Sequence, residues 1–154
     1  MKKLLLVMIG FALSACSAPP AKKYEQVRLN PPTETPDGFV RLSPKSQYYV
    51  DTTSIWVDNE KKHLVNFDTV INLHIGHRVY EDNPNLSTRS IRQHKVLDCE
   101  QGKLTHTESH LYSEFWGEGV ALAPKKQANR SVILREGSSL GTIGTILCAN
   151  FAKK

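Results

Sequence analysis

Cysteine is scarce in this chain: three residues in 154, at positions 16, 99 and 148. That is too few for a disulfide-dense scaffold or a four-cysteine zinc module, so folding has to rest on a buried core. No apolar run reaches the roughly 20 residues that cross a bilayer as a helix. There is no His-Glu-x-x-His and no phosphate-cradling glycine loop, the signatures of zinc metalloproteases and P-loop nucleotide enzymes. No internal repeat is present, and no low-complexity tract beyond a proline-rich stretch near the N-terminus. The formal charge of +5 is too modest to mark a nucleic-acid-binding surface.

What is present starts at the N-terminus. Met1-Lys2-Lys3 supplies positive charge, residues 4–13 are apolar, and Leu13-Ser14-Ala15-Cys16 closes the run with small residues and a cysteine. That order is a secretory signal, and its last four residues resemble the lipobox of bacterial lipoproteins. Residues 1–15 then read as a signal peptide, leaving a mature chain of 139 residues that begins at an acylated Cys16. Two or more acyl chains anchor a protein stably, at about 0.8 kcal/mol per buried methylene. Ser17 stands where an aspartate would resemble an inner-membrane retention signal, so the outer membrane is the expected site. Loss of Lys2 and Lys3 lowers the charge to +3, which leaves acidic surfaces as plausible partners. Cys99 and Cys148 form an even pair in an oxidising compartment and read as a disulfide. The loop they close, about 50 residues, is worth on the order of 4 kcal/mol by chain entropy.

Residues 16–37 carry five prolines and little apolar surface, the composition of a tether. The folded domain is expected over residues 38–154. Within it, alternation marks short strands over residues 39–43, 47–51 and 54–58. The clearest signal is residues 63–74, with Val65, Phe67, Thr69, Ile71 and Leu73 on one face and Asn66, Asp68, Asn72 and His74 on the other. A short return strand follows at 77–80. Asp82-Asn83-Pro84-Asn85 is a turn. Residues 87–99 and 103–112 form a hairpin about Glu100-Gln101-Gly102, and residues 131–135 add one more strand.

The period then changes. Leu140, Gly144, Leu147, Cys148 and Phe151 share one helical face, with Ser138 or Ser139 able to cap its start. Cys148 on that face lets the bridge to Cys99 pin the helix onto the sheet. The expected fold is therefore α+β, a single antiparallel sheet with a C-terminal helix packed across it.

Tyr48-Tyr49-Val50-Asp51-x-x-Ser54-Ile55-Trp56-Val57-Asp58-Asn59, Arg89-Ser90-Ile91-Arg92, Asp98-Cys99, Glu114-Phe115-Trp116-Gly117 and Ala123-Pro124-Lys125-Lys126-Gln127 together resemble the surface-adhesin protein E family, over nearly the whole chain. The resemblance implies a sheet of about six strands, a helix tethered by the disulfide, and a homodimer as one assembly. It also implies a lipid-anchored, surface-exposed outer-membrane adhesin that binds host vitronectin, laminin and plasminogen. The family's basic binding stretch maps onto residues 84–108, where Arg89, Arg92 and Lys95 match its basic positions and His94 is a pH-sensitive neighbour. Asn85-Leu86 and Glu108 depart from basic positions of the family. Alternation sets Arg92 opposite Arg89 and Lys95, so a common basic surface requires an edge or twisted strand. Two other readings follow from the same residues: a periplasm-facing structural lipoprotein, and a haem-binding surface lipoprotein that uses exposed His and Tyr.

Six histidines raise the question of a metal. His106, Glu108 and His110 alternate onto one strand face, but at about 3.3 Å per residue the two imidazoles stand roughly 13 Å apart. They cannot share one zinc, and a site at His74 and His77 would be partial. Tyr48, Tyr49, Trp56, Phe115 and Trp116 read as core or edge aromatics. With no catalytic constellation and the cysteine pair bridged, a non-enzymatic binding protein with no cofactor, metal or nucleic-acid partner is expected. Replacing Cys16 with Ala should move the protein from the membrane fraction to the soluble fraction on cell fractionation; retention in the membrane would refute lipid anchoring.

Overall fold

Leu64–Asn72 alternates, with Leu64 and Val70 as apolar exceptions on its polar face, and both of its faces are covered, one by apolar side chains and the other by a largely polar network. In the computed structural model, which describes residues 24–122 and 129–152, this strand sits inside a seven-stranded antiparallel sheet. In chain order the strands are β1 (Gln26–Arg28), β2 (Phe39–Arg41), β3 (Tyr48–Val57), β4 (Leu64–Asn72), β5 (Ile75–His77), β6 (Ser90–Asp98), β7 (Lys103–Tyr112), β8 (Ala121–Leu122) and β9 (Arg130–Ile133). One helix, α1 (Ser139–Phe151), follows. The large sheet runs β2-β3-β4-β6-β7-β8, with β9 pairing beside β8 along the same edge of β7.

The expected single sheet of about six strands is corrected in two ways. The main sheet has seven strands, and β1 pairs with β5 in a separate two-stranded ribbon. β1 falls within the proline-rich stretch expected to be a tether. Three residues there find pairing partners in β5, from Gln26 opposite His77 to Arg28 opposite Ile75. The strands expected at 47–51 and 54–58 are one strand, β3. Its register against β4 shifts between Asp51 and Trp56, a bulge that makes one strand look like two in the sequence. The bulge is held by Ser54, whose hydroxyl donates to the Asp51 carbonyl (2.7 Å) and accepts from the Asp68 N–H (2.7 Å).

The core lies between one sheet face and α1. Val50, Val65, Phe67, Leu97, Leu104 and Leu147 are buried together, ringed by Leu134, Leu140, Ile143 and the cysteines. Ser138 caps the helix, its Oγ accepting from the Gly141 N–H at 3.0 Å. Gly141 and Gly144 are packing glycines: a Cβ on Gly141 would strike the Arg135 carbonyl oxygen, and one on Gly144 the Leu134 side chain. The helix therefore approaches the segment after β9 more tightly than it approaches the sheet. Phe151 does not join the buried face as expected but is exposed, and Ile143 packs there instead. No helix among the described residues is long and apolar enough to cross a membrane.

Cys99, one residue past β6, and Cys148 in α1 form the disulfide, with Cα atoms 5.6 Å apart and a sequence separation of 49. α1 is 13 residues long, has two glycines and buries only Gly141, Gly144 and Leu147. Its own propensity is too low to hold it folded without tertiary support. Cys99→Ala together with Cys148→Ala should lower unfolding free energy by about 3 kcal/mol in denaturant titration. The helical circular-dichroism signal should melt ahead of the sheet.

Candidate functional site

The face of the sheet away from α1 is built from polar and charged residues. On one rung Asp51, Asp68, His94 and Glu108 stand side by side across β3, β4, β6 and β7. On the next rung stand Tyr49, Val70, Arg92 and His110. Two carboxylates directly opposite on neighbouring strands repel. Arg92 resolves the conflict from the adjacent rung: its Nη1 donates to Asp51 Oδ2 at 2.7 Å and to Asp68 Oδ2 at 3.0 Å. Asp51 Oδ1 accepts from the Thr53 N–H (3.0 Å) and the Thr53 hydroxyl (2.6 Å). Asp68 Oδ1 meets His94 Nδ1 at 2.9 Å, and His94 Nε2 lies 3.3 Å from Asn66 Oδ1. Burial works against charge on Asp68, yet its bonds to His94 and Arg92 hold the carboxyl below the usual carboxylate range.

A single 3₁₀ turn, Phe115–Gly117, folds over this network as a latch. Arg92 Nη2 donates to the Trp116 carbonyl at 3.3 Å. The Trp116 N–H donates to Asn72 Oδ1 at 2.9 Å, and the Gly117 N–H to Ser90 Oγ at 2.9 Å. The Ser90 hydroxyl in turn donates to the Glu114 carbonyl at 2.6 Å. Trp116 sits at φ 65°, a left-handed conformation that costs a non-glycine residue about 1–2 kcal/mol. Its ring is repaid in contact, 4.7 Å from Tyr49 and 5.1 Å from Phe39 between centroids. Gly117 also has positive φ, and a Cβ there would lie 2.6 Å from Arg92 Nε. The sequence offers this turn only as Trp-Gly between two strands; nothing in its periodicity announces that it closes over Arg92.

The basic residues expected to form one surface occupy three environments. Arg89 is partly exposed, its Nη1 3.4 Å from Glu114 Oε2 and its guanidinium 5.8 Å from the Phe115 ring centroid. Arg92 is committed to two aspartates. Lys95 lies on the opposite face, opposite Phe67 and only 7 % exposed, where burial pushes its ammonium down to about 8. β6 is no edge strand, because β4 and β7 flank it along its whole length. His94 remains partly exposed beside Asp68.

The expected alignment of His106, Glu108 and His110 on one face is also corrected. A bulge on β7 places Glu108 opposite His94 and His106 opposite Lys95, and adjacent residues of β6 point to opposite faces. Glu108 and His110 therefore share the polar face, 3.5 Å apart, while His106 faces the α1 side. Among the described residues no group of three His, Cys, Asp or Glu is placed to hold a metal ion. Residues 137–141 read Gly-Ser-Ser-Leu-Gly, the spacing of a serine-hydrolase nucleophile elbow. Here they open a helix instead. Ser138 is the cap, its hydroxyl donating to the Arg135 carbonyl, and Ser139 meets no histidine among the described residues.

Residues 39–149 match the profile of the family described as surface-adhesin protein E. The chain belongs to that family. It is 43 % identical to the surface-adhesin protein E of Haemophilus influenzae strain KW20/Rd, over 99 % of this chain and 96 % of that one. It is 42 % identical to the protein of the same name from strain NTHi 3655, over the same shares of both chains. The crystal structure of protein E from non-typeable Haemophilus influenzae superposes with a TM-score of 0.75 at 41 % identity, covering 84 % of this chain and 87 % of that chain. A second structure of Haemophilus influenzae protein E gives the same TM-score and identity and is covered to 97 %.

The network makes a signed prediction about acid. Asp68 has a depressed folded-state pKa, so its contribution to stability is complete above its unfolded value near 4 and disappears as pH falls through the lower folded value. Arg92→Met leaves Asp51 and Asp68 facing each other in a half-buried site and should cost about 3 kcal/mol at pH 7. That cost should shrink at acid pH, as Asp68 takes up its proton. Chemical denaturation of both proteins between pH 3 and pH 7 measures it.

Proposed function

We propose that this chain is a lipid-anchored outer-membrane adhesin, held by Cys16 and displayed on the cell surface. The observation that carries the reading is end-to-end similarity to surface-adhesin protein E, which spans 96 % of each relative. Loss of part of the fold or of its pinned helix would leave only a shared sheet; here the disulfide and the latch are both in place. The ligands implied are vitronectin, laminin and plasminogen, bound through a basic strand-and-turn surface.

Geometry narrows which residues can do this. Contact with a macromolecule needs side chains that can leave their present partners at small cost. Arg89 satisfies that condition: its ion pair with Glu114 is surface-exposed and contributes at most about 1 kcal/mol. Its neighbour Phe115 offers an aromatic face for the same contact. Arg92 satisfies it poorly, since withdrawing its guanidinium strands two carboxylates. Lys95 is buried on the other face. In this reading Arg89 makes first contact, Arg92 shapes the surface from beneath, and His94 tunes the local charge beside Asp68.

The purified domain should bind at least one of immobilised vitronectin, laminin and plasminogen in a salt-dependent manner. Arg89→Glu should weaken that binding several-fold and flatten its salt dependence without changing the melting temperature. Absence of binding to all three at low and physiological salt would sink the adhesin reading. Protease shaving of intact cells tests display separately: loss of the domain supports surface exposure, and protection places it inside the envelope.

A further inference from the structure

The face covered by α1 carries a row of cations that the adhesin reading does not use. Lys95, His106 and Arg130 are successive cross-strand partners on β6, β7 and β9, with Phe67 next in line on β4. The Thr105–Ser131 hydroxyl contact at 2.9 Å helps hold β9 in this register. Strands about 4.8 Å apart place the outer Cα atoms of the row roughly 10 Å from each other, within the joint reach of a lysine and an arginine side chain. The row runs from a buried end at Lys95, 7 % exposed, to an exposed end at Arg130.

Among the described residues no carboxylate forms an ion pair with these three cations. Their same-face neighbours along the strands are Val65, Thr69, Gln93, Leu97, Leu104 and Val132. α1 contains neither aspartate nor glutamate; the one carboxylate of the connection from β9 to α1, Glu136, lies beside Leu97, Cys99 and Leu134 and pairs with none of the three. The nearest carboxylate along β7, Glu108, lies on the other face against His110. Among the described residues the Lys95 ammonium makes no hydrogen bond and no ion pair. The side chain is largely enclosed while its ammonium keeps a narrow opening to solvent, so a charge with no counter-ion stands where an anion can reach it. We infer that Lys95, His106 and Arg130 form a binding site for one tetrahedral oxyanion, a phosphate or sulfate group, entered from the exposed edge at Arg130.

The three side chains divide the work by their chemistry. Arg130 offers a planar fork that captures an oxyanion from solvent, and Lys95 supplies a point charge in a desolvated setting where attraction is stronger. His106 reports on the site. Burial, then the positive charge of Lys95, holds its imidazole below the ordinary value, and Arg130 pushes the same way against a bond to the Glu108 carbonyl. An anion seated between them reverses that pressure and raises the proton affinity of His106.

The experiment is a titration of the folded protein with inorganic phosphate at constant ionic strength, read by calorimetry and by the His106 imidazole resonances. Saturable binding is expected, with the His106 pKa moving up on saturation and sulfate competing while chloride does not. Lys95→Met should weaken binding by about tenfold or more and Arg130→Gln by several-fold, whereas exposed Lys61→Gln should leave it unchanged. A parallel titration with phosphatidic acid vesicles separates a free anion from a lipid headgroup; saturation by either supports the site. No saturable binding in either arm, or wild-type binding by Lys95→Met, overturns the inference. Lys95→Met removes a buried charge at nearly constant length and is expected to fold. Should it not, Arg130→Gln at the exposed edge decides alone: wild-type affinity there also overturns the site.

Discussion

Two aspartates on facing strands, Asp51 and Asp68, set the constraint that the polar half of this molecule answers. Left alone they would push β3 and β4 apart in the middle of the sheet. Arg92 comes from the next rung of β6 and binds both, which ties three strands together through one guanidinium. The Trp116 carbonyl accepts from the second terminal nitrogen of that guanidinium, Nη2. The strained backbone of the latch becomes intelligible in this light: in its left-handed conformation Trp116 presents its carbonyl to Arg92 while its indole packs on Tyr49 and Phe39. Asn72 and Ser90 fasten the turn to β4 and β6.

The other face is organised by a different force. Its apolar core is small, six buried side chains with Phe67 among them, and its covering helix has weak propensity. A short helix carrying glycines at 141 and 144 gains little from its own backbone hydrogen bonds. Those glycines buy close approach to the Leu134–Arg135 segment, and the disulfide supplies the restraint that propensity does not. The molecule is thus a sheet held by charge on one side and by a covalently pinned helix on the other. An adhesin has to keep its shape while a large partner pulls on it, and neither device depends on a bound cofactor.

Much of this could be read from residues alone. Leu64–Asn72, the β6–β7 hairpin, the cap at Ser138 and the Cys99–Cys148 pair each follow from one local rule of periodicity, turn chemistry or capping. What could not be read depends on partners distant in sequence. β1 and β8 are too short to carry a period and exist because β5 and β7 offer them edges. β3 reads as two strands because its register shift between Asp51 and Trp56 interrupts the alternation. Charge and proximity in the chain group Lys95 with Arg89 and Arg92. Charge does not say which face a strand residue takes, and Lys95 went under the helix side while Arg92 went to the aspartates.

One extra residue on β7 illustrates how much such detail controls. Without the bulge about Thr107, strict alternation from His106 would carry Glu108 and His110 to the same face as His106. Glu108 would then stand near Lys95 and neutralise it. The bulge turns Glu108 toward His94 and His110 and leaves His106 between Lys95 and Arg130. The same backbone irregularity therefore separates the molecule's charges by face, completing a network rich in carboxylates on one side and leaving cations without a carboxylate on the other. Removing the acid from that second face is what gives an arriving anion something to bind, since a cation already paired inside a protein has little attraction left to offer.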